Sequence, residues 1–256
     1  MSKRILITGA SSGIGKASAE KFAKKGYDLI LTARRKDKLD KLAEKLRNKY
    51  AVKVLPLCFD VRNLDEVQKA IENIKSSWKP IDILLNNAGL AKGFHEIHEG
   101  KIDDWEIMID TNLKGLLYMT RLIAPDMVKR KNGHIINIAS TAGKEVYPKG
   151  NVYCASKHAV DALTKAMRVD LHKYNIRVSQ VAPGHVEETE FALVRFDGDN
   201  KKAKIYEDFV PVNSKDIANI IYFVASQPKH VNIQDVLVMG TQQASSNFID
   251  RSGRKS

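Results

Sequence analysis

The chain has 256 residues, of which 43% are hydrophobic and 28% are charged, and its formal net charge at pH 7 is +12. This composition is typical of a globular protein, and no apolar run reaches the roughly 20 residues that cross a bilayer. The two cysteines, Cys58 and Cys154, exclude a disulfide framework and a cysteine-ligated zinc site. We therefore expect no bound metal, no membrane partner and a cytoplasmic protein whose thiols are free and buried.

The positive charge raises the question of a nucleic-acid partner. Lysines and arginines are spread along segments such as "ARRKDKLDKLAEKLRNKY", where acidic residues alternate with them as on a solvated helix face. No zinc finger or aromatic-basic motif accompanies them. We therefore predict no nucleic-acid binding, and the charge instead favours an anionic substrate or cofactor.

Short apolar runs rich in β-branched residues alternate with amphipathic stretches along the whole chain. The predicted strands cover residues 4–8, 28–33, 52–59, 81–86, 134–138, 177–181 and 235–239. The predicted helices cover residues 13–25, 36–50, 64–76, 102–131, 151–174 and 214–226. This order predicts a single α/β domain: a Rossmann-type doubly wound sheet of about seven mostly parallel strands with helices on both faces. We place the domain at residues 1–245, followed by a basic tail at 246–256 that we expect to fray.

A glycine-rich turn, "LITGASSGIGKASAEKF", joins the first predicted strand to the first predicted helix. A backbone that turns sharply and approaches a pyrophosphate needs residues without a Cβ. The free N–H groups at the helix start then face the phosphates. The turn therefore predicts a dinucleotide site. Its predicted cofactor-binding residues are Gly9, Ser11, Ser12, Gly13, Ile14 and Gly15.

The second predicted strand ends in "TARRKDK". In proteins that bind NAD, an acidic residue in this neighbourhood accepts a hydrogen bond from the adenosine ribose 2′-hydroxyl. Arg34 and Arg35 stand here instead, and two guanidinium groups can donate charge-assisted hydrogen bonds to a 2′-phosphate. This favours NADP(H) as the cofactor. The alternative is a solvated charge pair that opens the second helix.

Residues 182–213 form the least regular segment of the chain and contain Pro183, Gly184, Gly198 and Pro211. The segment is too long for an ordinary connection, and loops of this length in compact domains are usually binding loops or lids. We therefore predict a substrate loop here, with a variable surface excursion as the alternative.

Five motifs follow one another along the chain: "TGASSGIG", "NNAG", "IINIAS", "YCASK" and the "PG" at 183–184. In this order they resemble the short-chain dehydrogenase/reductase family over residues 4 to about 240. The segments "DTNLKGLLYMTR", "PGHVEETEF" and "VRFDGD" are similar to its branch of NADP-dependent 3-hydroxy acid dehydrogenases, which includes serine and L-allo-threonine dehydrogenases. The resemblance implies hydride transfer between NADP(H) and a small 3-hydroxy acid or its keto form. A broad carbonyl reductase of ketones or aldehydes and a non-catalytic NADP-binding protein are the alternatives.

The resemblance implies catalytic roles for Asn112, Ser140, Tyr153 and Lys157. Tyr153 is the expected acid/base. An unperturbed phenol has a pKa near ~10, so it needs nearby positive charge, which Lys157 is expected to supply from one helical turn away. Ser140 would hold the substrate oxygen, and Asn112 would hold a water linked to Lys157. The alternatives are a polar strand end for Ser140 and a helix kink for Asn112.

By the same resemblance, further residues line the cofactor and substrate. The cofactor contacts are Asp60, Val61, Asn87, Gly89, Tyr153, Lys157, Pro183, Gly184, Val186 and Thr189. Asp60 could instead cap a strand end. The family also implies a homotetramer, assembled through the helices predicted at 102–131 and 151–174.

Arg195, in "LVRFDGD", is a candidate substrate residue together with Ser140 and Tyr153. A guanidinium between apolar neighbours could bind a substrate carboxylate in an otherwise apolar pocket. The alternative is an ion pair with Asp197 or Asp199 that only orders the loop.

Overall fold

The central strands of the main sheet are buried on both faces. The computed structural model describes residues 2–254. Every residue of the first strand, β1 (Arg4–Thr8), is buried, with Ile5 and Ile7 in one hydrophobic cluster and Leu6 in another. Successive side chains of a strand point to opposite faces, so such a strand is stable only between two layers of helices. Full burial of each aliphatic side chain contributes about 1.5–3 kcal/mol.

Six further strands complete the main sheet within the described residues. They are β2 (Asp28–Ala33), β3 (Val54–Cys58), β4 (Ile83–Asn86), β5 (Gly133–Ile138), β6 (Ile176–Pro183) and β9 (Asp235–Val238). A separate small sheet pairs β7 (Val186–Glu187) with β8 (Val212–Asn213). The main sheet has the order β3-β2-β1-β4-β5-β6-β9, and all its pairings are parallel. The order reverses at β1 and β4, which opens a crevice at their carboxyl ends.

Helices cover both faces of this sheet. They are α1 (Gly13–Lys24), α2 (Lys36–Tyr50), α3 (Leu64–Glu72), α4 (Ile102–Ile109), α5 (Gly115–Arg130), α6 (Asn151–Leu171), α7 (Phe191–Arg195) and α8 (Ser214–Ser226). The cluster on one face contains buried residues of α1, α2 and α8, and the cluster on the other contains those of α3, α5 and α6. The predicted fold class is therefore confirmed.

The predicted helices differ from the observed ones where the backbone changes its winding. The long region predicted at 102–131 is helical from Ile102 to Arg130, but a π-helical turn, Asp110–Lys114, interrupts its regular winding between α4 and α5. The helix predicted at 64–76 ends at Glu72, and that predicted at 151–174 tightens into a 3₁₀ turn after Leu171. β3 and β4 each begin two residues later than predicted. Apart from the π-helical turn, these are differences at element ends, where hydrogen bonding is weakest.

The tail does not fray over its described part. The backbone N–H of Ser246 donates to the Glu145 carboxylate at 2.8 Å, and Arg254 pairs with Glu187 at 2.9 Å. Lys255 and Ser256 lie outside the described residues, and the domain boundary at 245 stays a prediction.

Two other expectations concern the thiols and the membrane. Cys154 is buried as expected, but Cys58 is exposed, because it lies at the end of the edge strand β3. Among residues 2–254, no helix is both long and apolar enough to span a bilayer. The cytoplasmic location stays a prediction.

Candidate active site

The carboxyl ends of the parallel strands surround a cavity of about 860 Å³. Of the residues predicted for cofactor, substrate or catalysis, those that line it are Gly9, Ser11, Ser12, Gly13, Ile14, Arg34, Arg35, Asp60, Val61, Asn87, Gly89, Ser140, Tyr153, Lys157, Pro183, Gly184, Val186, Thr189 and Arg195. Gly15 and Asn112 are not among the lining residues. The fold therefore brings together residues that are up to 186 positions apart, from Gly9 to Arg195.

The glycine turn forms a cradle that side chains would fill. Gly9 and Gly13 have φ values of +65° and +50°, which L side chains rarely adopt. A Cβ on Gly15 would lie 2.3 Å from the Gly9 carbonyl oxygen. Asn87 directly follows β4, the strand that pairs with β1, and it fixes the turn because its Nδ2 donates to the Thr8 carbonyl at 2.8 Å. This tight, N–H-rich turn at the start of α1 fits a pyrophosphate.

Cationic side chains cluster at the end of β2. Arg34 Nη1 lies 3.7 Å from an Asp60 carboxylate oxygen. Arg35 Nη2 donates to the hydroxyl groups of Ser11 and Ser12, at 3.0 and 3.1 Å. Both guanidinium groups are about half exposed, so an anion can reach them.

Asp60 sits between Arg34 and Arg62 at the carboxyl end of β3. Burial alone would raise the pKa of its carboxyl group, but hydrogen bonds from Arg62 and the charge of Arg34 outweigh it and lower that pKa. Arg62 binds it closely, with Nη2 at 2.7 Å. Asp60 therefore lines the cavity and also organises this strand end.

Tyr153 lies in the first turn of α6, where it is 7% exposed. Burial is the largest influence on the pKa of its hydroxyl and raises it, and the neighbouring Tyr147 raises it further. A hydrogen bond with Ser140 and the charge of Arg195 lower it, but by less. The phenol therefore keeps its proton at neutral pH in the protein alone.

Lys157 is buried one helical turn after Tyr153, and its ammonium donates to the Ile138 carbonyl at 2.9 Å. Burial lowers the pKa of this amine to about 8. Among the influences that lower the pKa of the neighbouring Tyr153 is the positive charge of Arg195. The charge that Lys157 is expected to supply to Tyr153 stays a prediction.

Asn112 lies in the π-helical turn, which explains an asparagine in what the sequence suggested was a regular helix. Its Oδ1 accepts from the Leu90 N–H at 2.8 Å, and its Nδ2 donates to the Leu90 carbonyl at 2.9 Å. Nδ2 also donates to the Ser156 hydroxyl at 3.0 Å. Asn112 thus ties α6 to the chain that follows β4. A Cβ on Gly89 would lie 3.2 Å from Asn112 Oδ1 and 3.4 Å from Lys157 Nζ, so no side chain separates the two.

Arg195 ends α7 and is 7% exposed. The ion pair with Asp197 or Asp199 that we considered does not form, because these aspartates pair with Lys92 and Lys202. Arg195 Nη1 donates to the Tyr147 hydroxyl at 2.9 Å, and its Nε is buried without a hydrogen-bond partner among residues 2–254.

Aromatic rings surround this guanidinium. Its central carbon lies 4.6 Å from the ring centroid of Phe94, 5.3 Å from that of Tyr147 and 5.8 Å from that of Tyr153. A desolvated cation with unused donors, held beside Tyr153, is suited to bind a small carboxylate.

Several lining residues were missed by the sequence analysis. They are Phe94, Tyr147, His185, Glu190, Phe191, Tyr206, Ser246, Asn247, Ile249 and Arg251. Phe94 and Tyr147 lie in connections without a motif, and the last four lie in the tail. The only available signal was the aromatic content of the segments beside the predicted motifs, which does not separate a cavity wall from core.

The doubly wound sheet and the glycine cradle at its crevice define a dinucleotide-binding protein. A family model described as short chain dehydrogenase matches residues 3–199. The chain belongs to the short-chain dehydrogenase family, as the motifs predicted.

Individual proteins of this family are similar to the chain over nearly its whole length. The NADP-dependent 3-hydroxy acid dehydrogenase YdfG of Salmonella typhi is 44% identical over 241 residues, covering 94% of this chain and 96% of that protein. The NADP-dependent 3-hydroxy acid dehydrogenase of Schizosaccharomyces pombe is 43% identical over 251 residues, covering 97% of this chain and 96% of that protein. Among solved structures, the closed form of serine dehydrogenase complexed with NADP+ has a TM-score of 0.91 at 40% identity, covering 95% of this chain and 97% of that chain.

We predict that Lys157→Met stabilises the protein without cofactor at neutral pH. The pKa of the amine is about 8 in the folded protein and near ~10.4 in the unfolded chain. The unfolded state therefore binds more protons between these two values, and the free energy of unfolding of the wild type rises with pH there. Below pH 8 the wild type is at its largest disadvantage relative to the variant. Urea unfolding should give the variant about 1–3 kcal/mol more stability at pH 7 and a smaller excess near pH 10. The exposed Lys173→Met is the control and should change little at either pH. An excess independent of pH would contradict the burial argument.

Proposed function

We propose that this protein is an NADP-dependent oxidoreductase that interconverts a small 3-hydroxy acid and its keto form. L-Serine, L-allo-threonine and 3-hydroxypropanoate represent the substrate class. The observation that carries this choice is Arg195, a buried guanidinium without a carboxylate partner among residues 2–254, next to the Tyr153 ring. The names of full-length relatives at 43–44% identity support the same substrate class and cofactor.

The residues present fit NADP(H) at three places along the cavity. The glycine cradle suits the pyrophosphate, and Arg34 with Arg35 suits a 2′-phosphate, since both guanidinium groups are within reach of an anion. The remaining proposed contacts are Asp60, Val61, Asn87, Gly89, Pro183, Gly184, Val186, Thr189 and Lys157. When bound, NADP(H) supplies or accepts the hydride, and its oxidised nicotinamide adds positive charge that favours the Tyr153 phenolate.

Tyr153 is the proposed proton donor and acceptor. Its protonated hydroxyl, hydrogen-bonded to Ser140, can donate to the oxygen of a keto acid during reduction. During oxidation the same oxygen takes the proton of the substrate hydroxyl. Ser140 would hold the substrate oxygen beside it, as an oxyanion-type donor.

Lys157 and Asn112 would act around this step. A lysine whose pKa is about 8 can gain or lose a proton near neutral pH, which suits a proton relay to Tyr153. Asn112 is held in place by its hydrogen bonds with Leu90 and Ser156. Because Gly89 has no side chain, the space between Asn112 and Lys157 stays open. A water held there is the relay that the family resemblance implies.

We also propose a homotetramer. Exposed apolar side chains on the helices that the family uses for assembly support it: Ile102, Ile109, Leu117 and Val169 are 37–69% exposed. An interface would remove such side chains from water. Light scattering on the purified protein should give the mass of four chains. A monomer at micromolar concentration would contradict the proposal.

We expect Tyr153→Phe to abolish most catalysis without loss of cofactor binding. Removing the hydroxyl removes the proton donor, which contributes about 10²- to 10⁴-fold. The measurement is NADPH formation with L-serine, L-allo-threonine and 3-hydroxypropanoate. Tyr118→Phe, which alters a tyrosine packed on the core away from the cavity, is the control. Full activity in the Tyr153→Phe variant would end the proposed mechanism.

We expect Arg195→Met to raise KM for the 3-hydroxy acid by about 10- to 100-fold, because the carboxylate loses a charge-assisted hydrogen bond. Reduction of a neutral ketone by NADPH should change little. Lys204→Met, an exposed charge on the same loop paired with Glu207, is the control. If KM for hydroxy acids is unchanged, or wild-type protein prefers neutral ketones, the broad carbonyl reductase becomes the better assignment.

A further inference from the structure

Glu190 lies directly before α7 and binds the cationic end of the cavity. Its Oε2 is 2.7 Å from Arg35 Nη2, and its Oε1 is 2.9 Å from Lys38 Nζ. The hydrogen bond from Arg35, followed by those from Lys38 and Ser12, holds the pKa of this carboxyl group at about 2, although burial opposes the shift. Glu190 is therefore a fixed negative charge at any assay pH.

This carboxylate shares its partner with the proposed cofactor. Arg35 is one of the two guanidinium groups proposed for the 2′-phosphate, and the Nη2 that contacts Glu190 is also the atom that contacts Ser11 and Ser12. A phosphate monoester carries about −1.5 to −2 charges at pH 7. Two anions that depend on the same guanidinium repel each other, and each loses part of its hydrogen bonding when the other is present.

The same segment reaches the catalytic cluster. Phe191, the next residue, packs on Tyr153 with ring centroids 5.5 Å apart, and Arg195 ends the helix beside the same ring. Thr189, the preceding residue, lies against Gly13, where a Cβ would meet its Cγ2 at 3.2 Å. Glu190 is thus the charged contact between the substrate loop and the β2–α2 turn.

We infer that Glu190 is a specificity-determining residue that competes with the 2′-phosphate for Arg35. It weakens NADP(H) binding relative to NAD(H) while its pairs with Arg35 and Lys38 hold α7 near Tyr153. This inference rests on the proposed NADP-dependent function.

The test is Glu190→Gln, which removes the charge and keeps the shape. Its matched control is Glu188→Gln, two residues away on the same loop, where the side chain is exposed. Calorimetric dissociation constants are measured for NADP+ and NAD+, and for adenosine 2′,5′-bisphosphate and adenosine 5′-monophosphate, which lack the nicotinamide. Thermal melting checks that each variant is folded.

We expect Glu190→Gln to bind the two 2′-phosphorylated ligands about 3- to 10-fold more tightly, because Arg35 is then free for the phosphate. The dissociation constants of NAD+ and adenosine 5′-monophosphate should change by less than about twofold in this variant. In Glu188→Gln, the dissociation constants of all four ligands should change by less than about twofold. The gain should shrink at high salt, because these charges are partly exposed.

Unchanged or weaker binding of adenosine 2′,5′-bisphosphate by Glu190→Gln would overturn the inference and leave the proposed function standing. A wild-type protein that binds NADP+ no more tightly than NAD+ would overturn the proposed cofactor and this inference together. An equal gain in Glu188→Gln would attribute the effect to net charge and remove the specific role of Glu190.

Discussion

Removal of two ionisable side chains from water is the constraint on which this site depends. Tyr153 and Lys157 share one face of α6, and both are at most 7% exposed. Burial disfavours whichever form is charged, so it raises the pKa of the phenol and lowers that of the amine. Lys157 donates to a carbonyl group and forms no ion pair among the described residues. Tyr153 is hydrogen-bonded to Ser140 and lies near Arg195, but burial raises its pKa by more than these two neighbours lower it. The helix therefore stores an unfavourable arrangement that its packing into the sheet must hold in place.

The backbone around this pair is arranged to keep polar groups close without side chains between them. The π-helical turn places Asn112 where its amide can satisfy both backbone polar groups of Leu90. A regular helix would rotate the residues that follow and change which face meets α6. Gly89 then leaves room between Asn112 and Lys157. The π-helical turn thus positions Asn112 in the site.

Most residues that the sequence assigns to this site and that line the cavity belong to motifs that are local in the chain. The glycine turn, the paired arginines and the Tyr153–Lys157 spacing are each read within one element, and the apolar strands are sufficient to predict the doubly wound sheet. The surroundings of Arg195 come from distant segments: Phe94 follows β4 and Tyr147 follows β5. The π-helical turn and the packing of the tail were not predicted for a similar reason, since tertiary contacts such as Asn112 with Leu90 and Ser246 with Glu145 override local preference.

The charges of the cavity differ in whether the protein itself already neutralises them. Arg34 faces Asp60, Arg35 faces Glu190 and Arg251 faces Asp208, all at partly exposed positions. Of these arginines and Arg195, only Arg195 is buried, and aromatic rings and one phenol oxygen surround it in place of a carboxylate. Aromatic faces stabilise a cation without neutralising it, so its attraction for an anion is retained and is stronger in a dry site than in water. Because the same guanidinium lowers the pKa of Tyr153, a carboxylate that pairs with Arg195 would offset that effect and make the phenol hold its proton more firmly. Substrate binding and acid strength are therefore coupled through one side chain, because a carboxylate bound to Arg195 makes Tyr153 a weaker proton donor unless other positive charge is present.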